Sequence, residues 1–165
     1  MRVFGVVGWK NNGKTTLVER LVTHLTAQGR RISTVKHAHH EVDLDQPGKD
    51  TWRHREAGAT EVVLATARRW AVIHELRGAA EPSLDELLAK LTPVDLVLVE
   101  GFKRFPHPKL EVHRRERGTP LLAAEDPSIV GVASDEPLPA IALPQFPLDD
   151  IAPIARFVVE RAAAR

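Results

Sequence analysis

Strand-like and helical patterns alternate along the 165 residues, which predicts an α/β fold in layers with a largely parallel central sheet. Three observations carry this expectation. Residues 2–7 and 95–99 are apolar almost throughout, as strands buried on both faces are. Residues 15–28 place Leu17, Val18, Leu21, Val22 and Leu25 at helical spacing and stop at Gly29. Between such segments the period changes at glycine, proline or polar stretches, where turns belong.

Each element follows in order. Residues 2–7 form a first strand, a glycine-rich turn leads into the helix 15–28, and residues 31–36 read as a second strand. The stretch 37–48, rich in His and Asp, reads as a loop, and a short helix over 50–57 ends at Gly58. Residues 60–66 and 70–76 are strand-like runs separated by Ala67, Arg68 and Arg69, a spacing that suits a hairpin. Ser83 opens a second helical pattern with Leu84, Leu87, Leu88 and Leu91, and Glu86 stands where a capping box requires it. Strands at 95–99, 109–113, 129–133 and 140–143 follow, and residues 148–163 close the chain as a helix. No repeat or linker interrupts the pattern, so residues 1–165 are expected to form a single domain.

Composition narrows the function. Lysine and arginine number 23 against 22 acidic residues, a net charge of +1, so no global field draws the chain to nucleic acid or an anionic membrane. The absence of cysteine removes disulfides, thiolate catalysis and cysteine-bound metal centres. No apolar run approaches the roughly 20 residues that span a bilayer, and no signal peptide is evident, so a cytoplasmic location is expected.

The turn between the first strand and helix reads Gly8-Trp9-Lys10-Asn11-Asn12-Gly13-Lys14-Thr15-Thr16 and satisfies the phosphate-loop pattern in its required strand-turn-helix setting. Successive backbone N–H groups in such a loop, together with the free N–H groups and dipole of the following helix, hold phosphate. Asn11 and Asn12 suit positions that need left-handed backbone angles. Lys14 is placed to meet the β- and γ-phosphates, Thr15 to ligate Mg²⁺ and Thr16 to reach the α-phosphate. The expected architecture is therefore a three-layer P-loop NTPase sandwich, with the hairpin as an extension. Glu100 ends the strand at 95–99 on the carboxyl side, where ligands of open α/β sheets bind, and is the candidate metal carboxylate. Asp95, at the opposite end, is expected to face solvent. Lys14 and Glu100 are the candidate catalytic residues.

A second cluster, Lys36-His37-Ala38-His39-His40 with Asp43 and Asp45 beyond it, also lies past the carboxyl end of a strand. These groups suit a substrate-facing loop made of Lys36, His37, His39, His40 and Asp45, a transition-metal site, or a solvated loop. The adjacency of His39 and His40 does not imply a shared coordination sphere.

The stretches GWKNNGKTTL, VKHAHHEVDLDQPGKDTWRHREAGA, ATARRWAVIHEL, DLVLVEGFK and VGVASD, in that order from residue 3 to about 135, resemble the MobB family of molybdopterin-guanine dinucleotide biosynthesis accessory proteins. The resemblance implies a GTP-binding protein with weak GTPase activity, a homodimer, and a role beside the guanylyltransferase that attaches GMP to molybdopterin. A molybdopterin derivative and molybdopterin-handling proteins are the implied partners. Two departures matter. Trp9 stands where related dimeric ATPases carry a signature lysine, so Lys10 receives no role in a partner's site, and no Asn-Lys-x-Asp guanine reader is present. Asp135 in Ala133-Ser134-Asp135 is the substitute, since a carboxylate can accept from both N1 and N2 of guanine; a turn-forming role before Glu136-Pro137 is the alternative. Besides a slow GTPase accessory protein, a small-molecule kinase and a metallochaperone GTPase stand as alternative classes.

Overall fold

The computed structural model describes residues 1–38 and 44–165. Packing divides the chain into two compact units, Met1–His37 with Leu84–Arg165, and Ala38–Ser83.

The first unit is built on strands β1 (Arg2–Val7), β2 (Ile32–Lys36), β5 (Leu96–Glu100), β6 (Lys109–His113), β7 (Ile129–Ser134), β8 (Gln145–Pro147) and β9 (Ala163–Ala164). They form one sheet in the order β2-β5-β1-β6-β7-β8, parallel throughout that path, with β9 pairing antiparallel to the start of β1. Helices α1 (Lys14–Ala27) and α4 (Ile151–Arg161) cover one face and α3 (Leu84–Ala89) the other. On the first face Leu17, Leu21 and Leu25 of α1 and Ile154 and Val158 of α4 pack on Phe4, Val6, Leu98 and Leu110. Phe157 meets Phe4 edge-on, with ring centroids 6.3 Å apart. On the opposite face Leu84 and Leu88 cover Val3, Val97 and Val99. The predicted layered, largely parallel α/β fold is the one observed.

Two expectations near the carboxyl terminus need correction. The strand expected at 140–143 is a turn; the Gln145 side chain ties up this segment by accepting from Leu138 N–H (2.8 Å) and donating to the Leu138 and Ile141 carbonyls. Pairing begins only at Gln145, on the sheet edge, where the missing N–H of Pro147 is tolerated. The last helix spans Ile151–Arg161 rather than 148–163, because Leu148 N–H is donated to Ser134 O and Ala163 joins β1.

Strand β6 reads as an alternation of polar and apolar residues, yet all five are buried. Glu111, fully buried, accepts the N–H groups of Leu122 (2.9 Å) and Ala123 (2.8 Å). The Lys109 ammonium donates to Asp126 (3.0 Å) and to the Ser128 hydroxyl. Burial opposes ionisation of Asp126, but its bonds from Ser128 and Lys109 outweigh this and hold its carboxyl below the usual range. His107 packs against Gly5 of β1, where any Cβ would collide with the imidazole and approach Lys109 Cγ to 2.8 Å. Glycine alone fits there.

The second unit holds α2 (Asp50–Glu56) and an antiparallel hairpin of β3 (Glu61–Ala65) and β4 (Trp70–His74). Arg55 joins it internally, reaching Asp45 (3.3 Å) and Glu75 (2.6 Å). Val63, Leu64, Trp70 and Val72 of the hairpin are exposed. Among the described residues no helix is long and apolar enough to cross a membrane.

Burial, reinforced by the Lys109 charge, pushes the His107 imidazole down to about 4 from 6.5. The folded chain therefore keeps His107 neutral while the unfolded chain takes up a proton near pH 6.5. This contribution is intact above pH 6.5 and is lost as pH falls toward 4. Urea unfolding midpoints should decline across that window in the parent and decline less in His107→Gln; equal slopes would refute the assignment.

Candidate functional site

The phosphate loop joins Val7, the last residue of β1, to Lys14, the first of α1. It turns through positive φ at Gly8 (147°), Asn11 (65°) and Gly13 (98°), so of the two asparagines expected at left-handed angles only Asn11 adopts one, and Asn12 is held instead by its side chain. A Cβ at Gly8 would collide with the Val112 carbonyl, so glycine lets β6 reach the loop. Asn12 is fully buried and its Oδ1 accepts Arg114 N–H at 2.7 Å, tying the loop to the end of β6. No side chain caps α1 at Gly13, which leaves the N–H groups of its first turn for an anion.

Lys14 and Thr15 follow at the mouth of this loop. The Lys14 ammonium donates to Trp9 O at 2.9 Å. Desolvation lowers its pKa from 10.5, and Lys103 and Lys36 add to this against the opposing pull of Glu100. The Thr15 hydroxyl donates to Glu100 Oε1 at 2.8 Å, across 85 residues of sequence. Glu100 is buried at the end of β5, in register with Val6 of β1 on one side and Lys36 of β2 on the other. Asp95, at the other end of that strand region, is partly exposed and accepts from Arg31 N–H at 2.8 Å.

The donor set fits Mg²⁺. A threonine hydroxyl and a carboxylate, already side by side, are the hard oxygen donors that this ion prefers. Thr15 and Glu100 are the residues that would hold it.

Of the substrate-loop residues, Lys36 lies 3.4 Å from both Thr15 Oγ1 and Glu100 Oε1. His37 donates its N–H to Glu100 O (2.9 Å) and its ring stacks on Phe102, centroids 4.6 Å apart. Phe102 itself has φ 49°, a costly angle for a bulky residue. His39 and His40 lie outside the described residues. Asp45 belongs to the second unit, where it accepts from Thr51 Oγ1 (2.8 Å) and Arg55. Burial there opposes its ionisation, but the bonds from Thr51, Gln46 and Arg55 prevail and lower its pKa. Among the described residues no group of three or more His, Asp or Glu is placed to hold a metal ion.

Asp135 follows β7, two strands from β1 across β6. Its Oδ1 accepts Arg115 N–H at 3.0 Å, and it borders a cavity of about 200 Å³ with Ser134, Pro137, Phe146 and Pro147. Three participants escaped sequence reasoning. The Arg114 guanidinium lies over Gly13, its Nε 3.6 Å from where a Cβ would be, and Nη1 is 3.9 Å from Asp135. Trp9 Nε1 donates to Pro120 O (2.8 Å), and Lys103 sits 4.2 Å from its ring centroid. The position of Arg114 just past a strand's carboxyl end was the available signal.

A parallel sheet that delivers a glycine-rich loop, a lysine and a threonine–carboxylate pair to one edge defines a P-loop NTPase-like protein. The family model described as "Molybdopterin guanine dinucleotide synthesis protein B" matches residues 3–135, and the chain belongs to this MobB family. It is 43% identical over 138 residues to a molybdopterin-guanine dinucleotide biosynthesis adapter protein of Haemophilus influenzae, covering 82% of this chain and 76% of that one. The adapter protein of the same description from Escherichia coli is 37% identical over 155 residues, covering 92% and 88%. The crystal structure of a MobB homolog from Bacillus stearothermophilus superposes with a TM-score of 0.72 at 30% identity, covering 97% of each chain.

The Lys14 ammonium makes one bond, to the loop's own backbone, so its loss should spare the fold. Lys14→Ala should lower affinity for a nucleoside triphosphate by roughly ten- to a hundredfold, the scale of a charged hydrogen bond. Fluorescent-nucleotide titration of a variant with parental thermal melting tests this; unchanged affinity would refute the role of Lys14.

Proposed function

We propose that this chain binds GTP with Mg²⁺ and serves as an adapter in molybdopterin-guanine dinucleotide biosynthesis, hydrolysing GTP slowly in the cytoplasm. The observation that carries the nucleotide reading is the Thr15–Glu100 bond beside Lys14 at the uncapped start of α1. The pathway reading rests on the family, whose relatives are described as adapters of that biosynthesis.

In this reading the loop from Gly8 to Thr16 binds the phosphates, with Lys14 on the β and γ groups and Thr16 near the α group. Bound Mg²⁺ would supply Lewis acidity toward the phosphates. Glu100 orients Thr15, and Arg114, lying on Gly13, adds a second fixed cation beside the nest. Asp135 is the guanine-reading residue, and its position at the end of β7 beside the small cavity supports this. Lys36, His37, His39 and His40 are the residues assigned to an anionic molybdopterin derivative, which they would bind through charge-assisted hydrogen bonds.

GTP should therefore bind more tightly than ATP, and Asp135→Asn should narrow the difference, because an amide offers one acceptor where the carboxylate offers two. Competition titrations check both parts. No base preference in the parent would overturn the GTP reading, whereas a preference unchanged in the variant would overturn only Asp135.

The working form in this proposal is a homodimer. Val63, Leu64, Trp70 and Val72 on the two-stranded hairpin present apolar surface that a second copy would bury. Trp70 is 69% exposed, so Trp70→Glu should not cost the folded chain much, but should shift sedimentation toward monomer at micromolar concentration. An unaltered dimer would remove the hairpin from the interface, and a monomeric parent would refute dimerisation.

A further inference from the structure

Lys36 ends β2 directly opposite Glu100, a position fixed by the parallel register of β2 and β5. Its ammonium stands 3.4 Å from Thr15 Oγ1 and 3.4 Å from Glu100 Oε1, the two oxygens that lie 2.8 Å from each other. From this triangle we propose that Lys36 is a tethered cation that competes with the divalent metal for Thr15 and Glu100, and so gates metal loading. The inference rests on reading that oxygen pair as the Mg²⁺ position.

Geometry leaves the side chain as the moving part. Just beyond Lys36, the His37 N–H is held by Glu100 O at 2.9 Å, and Gly101 is packed so close that a Cβ there would lie 3.0 Å from His37 Cβ. The root of Lys36 is therefore clamped to β5, while its side chain is 57% exposed and has solvent to swing into. An ammonium and a divalent ion sharing two oxygens repel each other strongly at such separations. Lys36 must withdraw as the metal site fills. An incoming anion, whether a terminal phosphate of the nucleotide or the molybdopterin derivative, then becomes its partner. With Lys36 in place the Glu100 charge is neutralised, so a carboxylate facing the phosphate loop does not repel an arriving polyanion.

An ordinary structural ion pair would predict the opposite sign for its removal. If Lys36 only braces Glu100, a neutral replacement loosens the oxygen pair and metal binding weakens; if it competes, metal binding tightens. Mn²⁺ titration of the full chain followed by electron paramagnetic resonance, without nucleotide, separates the two. Lys36→Met should bind Mn²⁺ at least fivefold more tightly than the parent, Lys36→Arg should not, and adding Glu100→Gln to Lys36→Met should abolish the gain. Equal or weaker Mn²⁺ binding by a folded Lys36→Met chain, or the same gain in Lys36→Arg, overturns the competition. A parallel titration of fluorescent GDP against Mg²⁺ distinguishes the underlying reading. A lower Mg²⁺ midpoint in Lys36→Met supports the proposal. Failure of the parent to bind guanine nucleotide, with the Mn²⁺ gain intact, overturns the nucleotide assignment and leaves the competition standing.

Discussion

The site depends on the burial of β1 between two parallel neighbours in fixed register. Residues Val3 to Val7 are inaccessible to solvent, with β5 alongside from Arg2 and β6 alongside from Gly5. A slip of one residue in either pairing would turn the aliphatic set of β1, β5 or β6 to the wrong face, so the packed helices on both sides hold the register. That register aligns the carboxyl ends of β1, β2, β5 and β6 on one edge. There Gly8, Lys36, Glu100 and Arg114 arrive from four separate strands without any loop having to search for them.

Close approach is the second consequence of this arrangement. Gly5 and Gly8 are the points where β6 and its preceding residues press on β1, through His107 below and the Val112 carbonyl above. The phosphate loop is therefore braced from β6 by the Asn12–Arg114 bond as well as by its own turn. A preorganised nest costs little conformational entropy when an anion arrives, which is where a phosphate loop obtains its affinity.

The parts of this structure that were legible in the sequence are those with local causes. Leu17 to Leu25 set α1 by their spacing, the all-apolar β5 announced itself as a central strand, and the loop pattern located Lys14 and Thr15. Glu100 was singled out from its place at a strand's end, and the structure sets it within hydrogen-bond distance of Thr15. Legibility failed where the cause lies far along the chain. The buried charges of β6 look like a solvated alternation until residues 122–128 are seen to cover them with Asp126, Ser128 and two backbone N–H groups. The turn at 138–143 depends on a single side-chain amide, that of Gln145 four to seven residues on, which no periodicity reveals. Arg114 was missed for the same reason, since its importance lies in what Gly13 and Asp135 bring to it.

The second unit follows a different physical plan. Of its hairpin residues Val62 is buried, whereas Val63, Leu64, Trp70 and Val72 remain exposed, so hydrophobic burial alone gives this small unit little stability. Charge pairing sets its shape instead. Arg55 spans Asp45 and Glu75 with its side chain only 11% exposed, and the Arg77 guanidinium donates to the carbonyls of Arg55 and Ala59. Such a network fixes direction more than it adds stability, because desolvation of the ions offsets much of their attraction. A unit held in shape by ion pairs while presenting an aromatic and aliphatic surface has its remaining stabilisation still to gain by burying that surface. This is the physical ground for the proposal that a second copy covers the hairpin.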